Sequence, residues 1–556
     1  MVAGAITRVT LIGRVPRSGH DREVSTGQLI IVLAVATVTL LAVAALRRTG
    51  MPTAAVLVVA GLVIGFLPFV PDASLEPHAV LLGLLPLLVF DAAATSSATA
   101  FVRNARSIGL LAVGLVVATA LVVAAVTHWI GHLSWAMAFV LGTAVGPTDA
   151  AAATGVARRL GLPRRLLSIL EGEALFNDGA ALVLYATAVA AATSGHFSAL
   201  NALGHVVYAS LAGTAIGLAV GVVGRHLRNR IDDAPIEIAG SILIAYAAYL
   251  PAEALDASGV LAAVAAGLYL GWYSGGTALS ARSRLQSGAF WETLVFLINA
   301  ALFVIVGLSF HTFTAQARGP VGTLVVTGIA VVVAVIVIRL GWMEATGWMT
   351  RVLRRTRPHD EDSAPDQAGW RQRLILGWAG MRGAITLAVL LAVPVSDRAG
   401  RPLAGRDDII YLGFAVIIVT LVGQGATLPL LVRRLGLAEH PSVAEAQRQA
   451  RLELTEAVLD RLQHADGEGP VAQDLIDGLR AQYLVRRDRL RSYDDADDFE
   501  EMAEAASAER ELRRELIGVQ RDALARLRSE GRIGMSIART IEHDLDLEDA
   551  RLSSVG

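Results

Sequence analysis

Asp149 and Asp178 are carboxylates set inside segments so apolar that little water should reach them. Asp149 follows Thr148 directly after a Gly146-Pro147 break, and Asp178 closes the run Glu173-Ala174-Leu175-Phe176-Asn177-Asp178. An ionisable group at bilayer depth costs from about 2.5 to more than 10 kcal/mol, so it usually marks an ion path or a proton relay. A buried carboxylate must be neutralised, by a proton or by a metal cation but not by both at once. That competition is the physical basis of exchange.

Each residue type adds something different. Pro147 lacks a backbone donor and clashes with the preceding turn. The unwound stretch it creates is tolerated at membrane depth only where it lines a cavity or is buried in protein. Thr148 and Asp149 can there offer hydroxyl, carbonyl and carboxylate oxygens, the ligands that hard cations take. The blander reading is a simple kink with Asp149 capping the next half-helix. Asn177 can bridge to the broken helix without adding charge; the blander reading of Asn177-Asp178 is a hydrogen-bonded packing pair. Glu173 needs a partner or a proton, and two arginines lie at depth, Arg339 and Arg382. A Glu173–Arg339 bridge, architectural rather than ion-binding, is the expectation. Arg382 is left among Gly377, Gly380 and Gly383, a second break, where its charge can offset the negative ends of broken half-helices. Asp91, Asn104, Glu171, Glu292, Asn299 and Glu344 are further polar residues at depth. Glu171 is placed near an entrance that guides cations, and Asp91 and Glu292 at an entrance funnel or against another protomer.

The elements that must position these groups are membrane helices. The chain has 556 residues, 54% of them hydrophobic, and a mean hydropathy of +0.54, far more apolar than a soluble core requires. Runs long enough to cross about 30 Å of hydrocarbon recur from residue 28 to 432. They read as thirteen spans: 28–46, 53–70, 79–101, 107–126, 135–157, 166–194, 203–224, 237–253, 258–273, 289–310, 321–345, 373–394 and 409–431. With the N-terminus outside, 21 arginines from Arg47 to Arg434 fall in cytoplasmic connections and four, Arg318, Arg398, Arg401 and Arg406, in outer ones. That asymmetry is what the positive-inside rule demands. Arg8, Arg14, Arg17 and Arg22 in the first 25 residues run against it. Gly146-Pro147 interrupts the fifth span; Gly377, Gly380 and Gly383, around Arg382, interrupt the twelfth. Breaks at matching positions of two halves point to an inverted-repeat transporter with its site near the midplane.

The domain reading is an N-terminal tail at 1–27, a transmembrane domain at 28–435 and a helical cytoplasmic tail at 436–556. In the tail, Val443–Leu462, Val471–Arg491 and Glu500–Arg528 carry Leu among Arg, Glu and Asp at helical spacing. The linker 351–372, with Pro358 and Pro365, reads as a joint. A net charge of −2 gives no reason to expect nucleic acid, and the absence of cysteine removes disulfides, thiolates and cysteine-zinc sites. The basic residues are all arginine. No Walker loop, HExxH or GxSxG is present, so ATP hydrolysis has no machinery here and the chain reads as no enzyme. Two membrane aspartates could also form a protease dyad, but neither lies in a Gly-x-Gly-Asp surround. A channel or sensor on a transporter frame is the other alternative.

The pattern resembles the NhaP-type sodium/proton exchangers, in the bacterial branch of the monovalent cation:proton antiporter family. The stretches that carry the resemblance are Leu85–Asp91, Gly146–Ala150, Glu173–Gly179, Phe290–Asn299 and Trp378–Gly383, in an order that covers about 28–435. The resemblance implies an all-α membrane fold with crossed broken helices and a homodimer in the plasma membrane. Each protomer would have a dimerisation domain and a core that moves like an elevator. It implies Asp149 and Asp178 as sodium-site carboxylates, with Thr148 and Glu173 alongside, and no cofactor beyond the transported sodium and protons. The Asn177-Asp178 pair implies electroneutral one-for-one exchange. Ala174 departs from a serine common in the family, which removes one candidate oxygen and leaves potassium/proton exchange, or lithium transport, open. The end of the tail, Ile541–Leu552, looks like that of bacterial members with a cytoplasmic extension.

Overall fold

The computed structural model describes residues 52–67, 79–96, 109–195, 198–230, 233–273, 281–310, 319–355, 369–437, 441–464, 470–491 and 496–530, with Thr37, Ile541, Leu545 and 547–549. Among these the chain is helical throughout; its single extended pairing is an isolated bridge between Ser396 and Pro402. Apart from Thr37, the expected first span at 28–46 lies outside the described residues, as do the four arginines before it and Asn104.

The helices are α1 (Thr53–Gly65) and α2, a π-helical turn Ala79–Leu84 continued by Leu85–Ala94. Next come α3, a π-helical turn Leu110–Leu115 continued by Val116–Trp129, α4 (Trp135–Ala144), α5 (Ala150–Arg159) and α6 (Arg164–Ser194). They are followed by α7 (Ala199–Arg228), α8 (Ala234–Ala254), α9 (Gly259–Tyr273), α10 (Ala281–Leu308) and α11 (Val321–Arg355). The last of this unit are α12 (Trp370–Trp378), α13 (Ala384–Leu391) and α14, which runs Arg406–Ile418, through a π-helical stretch Val419–Gln424, to Gly425–Arg434. Among the described residues, seven helices are long and apolar enough to cross a membrane, and four more are apolar but shorter. Helix α11 runs to Arg355, so Arg351, Arg354 and Arg355 belong to a helix and not to the expected 351–372 linker.

Two sets of helices pack side by side. In one, α7, α8 and α9 pack together, α2 lies on α9, and α10 pairs with α1. Small residues permit the close approach: a Cβ at Gly217 would strike the Ala262 backbone, and one at Gly271 the Ala94 backbone. This is the usual way helices associate where lipid supplies no hydrophobic drive. In the other set, α3, α4, α6, α11, α13 and α14 close on one another over a core that includes Val123, Leu141, Tyr185, Val335, Val389 and Ile409. Both broken segments, α4/α5 and α12/α13, belong to this second set. The sets touch chiefly through α6 against α7 and α9, and α1 against α14.

Residues from Pro441 onward form a separate compact unit. Its helices are α15 (Pro441–Gln463), α16 (Pro470–Arg491) and α17 (Ala496–Ser529). Helix α15 packs on α16, and Arg491 pairs with Glu456 at 2.6 Å across them. Ile517 and Leu524 of α17 are buried together with Leu545.

Candidate ion-binding site

The two interruptions meet. Helix α4 ends at Ala144 and α5 starts at Ala150; α12 ends at Trp378 and α13 starts at Ala384. Asp149 N donates to Met381 O at 2.8 Å, and Arg382 Nε donates to Val145 O at 3.0 Å. Arg382 Nη1 also donates to Gly380 O. Its guanidinium thus satisfies carbonyls just past the C-terminal ends of α4 and α12, where partial negative charge accumulates. Arg382 is 1% exposed, and its Nη2 is buried without a hydrogen-bond partner.

The glycines of the second break make room for neighbouring side chains. A Cβ on Gly383 would overlap the Asp149 carboxylate, and one on Gly380 would overlap the Arg339 side chain. Glycine is required there by close approach.

Thr148 is the hub between the first break and α6. Its Oγ1 donates to Glu173 Oε1 at 3.0 Å and accepts from Asn177 Nδ2 at 2.9 Å. Glu173 and Asn177 lie four apart on α6, one helical turn, and so reach the same hydroxyl. Glu173 is neutralised by Arg339, through Nη1 to Oε1 at 2.5 Å and Nη2 to Oε2 at 2.9 Å. Arg339 also donates to Leu376 O, from Nε at 3.2 Å and Nη2 at 3.0 Å. Both members of this pair are buried. Two-point pairing plus extra hydrogen bonds is what allows charges to persist away from water.

Asp149 has two jobs on two oxygens. Oδ1 accepts from Ala152 N at 3.3 Å, capping α5, while Oδ2 rests over Gly383. A carboxylate has lone pairs for both a cap and a cation. Asp178 is half-buried and lines a small cleft with Pro147, Thr143 and Ile385, with room for about one water. The charges of Asp149 and Asp178 are near enough to act on each other. Among the described residues no arginine pairs with Asp178. Asn177 Oδ1 is buried and has no hydrogen-bond partner. Hydroxyl, carboxylate and amide oxygens therefore lie beside a chain break, while Arg339 bonds Glu173 and Leu376 O and Arg382 bonds the carbonyls of both breaks.

Comparison with known proteins gives the family. The family model described as "Sodium/hydrogen exchanger, transmembrane" matches residues 33–434. The chain belongs to the sodium/hydrogen exchanger family. An uncharacterised sodium/proton exchanger of Mycobacterium tuberculosis is 37% identical to this exchanger over 95% of this chain and 96% of its own length. The sodium/proton antiporter ApNhaP of Aphanothece halophytica is 28% identical over 89% of this chain and 91% of its own. The solved structure of the sodium proton antiporter MjNhaP1 from Methanocaldococcus jannaschii has a TM-score of 0.58 at 18% identity, covering 72% of this chain and 99% of that one. The fold of the exchanger is of that kind, and it is a multi-pass membrane protein.

Other sequence candidates fall away from the centre. Glu171 pairs with Arg158 at 2.6 Å in an exposed position, and Glu344 pairs with Arg373 at 3.0 Å. Glu292 is exposed. Asp91 lies on α2, within electrostatic reach of Arg158. Ala174 is buried one residue beyond Glu173. One residue that sequence reasoning passed over, Thr420 on α14, is fully buried and accepts from Arg382 N at 3.1 Å. A lone threonine in an apolar span carries no sequence signal, because it commonly bonds its own helix.

Proposed function

We propose that the exchanger trades sodium for protons one for one across the plasma membrane, with Asp178 and Asp149 as the carboxylates at which the two cations compete. Thr148 supplies an oxygen, Asn177 fixes Thr148 without adding charge, and the Glu173–Arg339 pair holds α6 to α11 and α12 behind the site. Arg382 neutralises the half-helix ends so that no further carboxylate is needed there. The observation that carries the reading is that, among the described residues, Asp178 has no arginine partner while Glu173 has one. Asp178 is left to be neutralised by whatever cation arrives, and one titrating carboxylate fits electroneutral exchange.

The alternating-access step is proposed as an elevator. The helix set holding both breaks moves against the α1, α2, α7–α10 set, which forms the homodimer. The segregation of both breaks into one set supports this. Thirteen spans in two inverted repeats, with the tail in the cytoplasm, complete the proposal, supported by the arginine asymmetry and the matched breaks. Potassium in place of sodium is a second reading, favoured by Ala174, whose methyl stands where a serine would add an oxygen.

The test uses everted vesicles with a pH-sensitive dye. A sodium pulse should dequench the dye for wild type and not for Asp178→Asn; wild-type response in that mutant would end the assignment. Clamping the potential with valinomycin should leave the rate unchanged, and a strong voltage response would rule out one-for-one exchange. Parallel potassium and lithium pulses decide the ion.

A further inference from the structure

Residues 381–383 hold Asp149 from two sides. Met381 O accepts its backbone amide, and Gly383 supports its carboxylate. Between them the Arg382 amide donates to Thr420 Oγ1 on α14 at 3.1 Å. Thr420 also bonds its own helix, to Val416 O at 2.8 Å and Ile417 O at 3.3 Å. A hydroxyl has one donor and two acceptor sites, so Thr420 can serve its own helix and Arg382 together. It lies in the π-helical stretch Val419–Gln424, an irregularity that recurs at functional sites. One turn-pair further along, Thr427 Oγ1 accepts from Trp378 Nε1 at 2.9 Å. Thr420 and Thr427, seven apart, share a face of α14 and grip the second break at both of its ends.

Apart from Thr420, the groups that fix residue 382 are both carbonyls of the breaks themselves, Val145 O and Gly380 O. Among the described residues, Thr420 is thus the one tie from this residue to a continuous helix. We propose that Thr420 is a positioning residue of the exchanger, setting through the Arg382 backbone where Met381 and Gly383 hold Asp149. The inference rests on the reading of Asp149 as an ion ligand.

Valine at 420 keeps the shape of threonine and removes the acceptor, which leaves a buried amide unpaired. If that shifts Asp149, the apparent KM for sodium rises about five- to tenfold, the effect of one buried hydrogen bond. The experiment measures sodium-driven proton movement in proteoliposomes holding the full chain as wild type, Thr420→Val, Thr420→Ala and Thr420→Ser. The expected result is raised KM for valine and alanine at near-normal maximal rate, with serine restoring the wild-type value. Three outcomes overturn the proposal while wild-type exchange stands. They are an unchanged KM in Thr420→Val, a serine variant as impaired as valine, and valine and alanine variants that lose yield or rate without a KM change. Failure of both variants to fold would likewise make Thr420 a folding contact and end the proposal. Absence of sodium-driven exchange in wild type would instead remove the underlying reading, and this inference with it.

Discussion

The two chain breaks sit against each other and are built on opposite principles. The first is made by Pro147, which strips a donor from the backbone and presents Thr148 and Asp149, groups rich in oxygen. The second is made by glycines, which present almost nothing of their own and let Asp149 and Arg339 pack where a Cβ would be. It contributes the positive charge of Arg382, spent on the carbonyls of both breaks. On the proposed reading, one break offers ligands and the other gives them a surface to rest on. The lesson is that an ion site at bilayer depth needs a neutral floor as much as it needs acids, or the helix ends themselves would compete for the cation.

The comparison can be broken most forcefully on the oxygen side. Asp178→Asn leaves shape intact and removes the charge that a cation replaces, so exchange should fall to background in the vesicle assay. Behind the site, Glu173→Gln strands the buried Arg339 and should cost about 3–5 kcal/mol. It would be seen as lost folded protein by fluorescence-detected chromatography. If Glu173 is architectural, pairing it with Arg339→Gln recovers much of that loss; failure of the double variant to recover would make Glu173 a working ligand. On the glycine side, Gly383→Ala drives a methyl into the Asp149 carboxylate. Overpacking of this sort costs about 1–3 kcal/mol, and sodium binding by calorimetry should weaken accordingly. Thr148→Val removes a hydroxyl that serves both Glu173 and Asn177. The expected cost is about 1–3 kcal/mol, the penalty for buried groups left unpaired, with a smaller effect on the melting temperature than Glu173→Gln.

The smallest effect lies away from both breaks. In the loop 392–405 Asp397 accepts from the amides of Arg401 and Ala399, each at 2.9 Å, and pairs with the Arg401 side chain. The Arg401 amide above all holds its carboxyl below the ordinary aspartate range. A depressed value means the loop is steadied at neutral pH and loosens only as acid protonates Asp397, below the pH at which a free aspartate titrates. Hydrogen exchange at 396–402 should therefore match between wild type and Asp397→Asn only in acid, and differ modestly at neutral pH.

Much of this was legible in the chain. Apolar runs located most of the described helices within a few residues, though α10 starts at Ala281 rather than 289 and α11 ends at Arg355 rather than 345; Pro147 and the glycines marked both breaks, because such residues disrupt a helix locally. The tail helices at 441–463 and 470–491 followed from amphipathic spacing. What could not be read is whatever depends on distant segments meeting. Glu173 and Arg339 are 166 residues apart, and Arg382 and Val145 are 237 apart. Charge balance suggests such pairs, while only packing assigns them. The Arg158–Glu171 and Arg373–Glu344 pairs, and the tie from Thr420 to Arg382, were missed for that reason. The end of α11 was misjudged because arginines after an apolar run look alike whether the helix stops or continues into water.

The apparent sodium KM of wild-type exchanger, measured in proteoliposomes over several pH values, probes competition at Asp149 and Asp178 most directly. If one carboxylate must release a proton before it takes sodium, KM approaches a tenfold rise for each unit of acidification, with little change in the rate at saturating sodium. A KM that stays flat while rate alone falls in acid would mean the two cations never share a seat, and the account would be wrong.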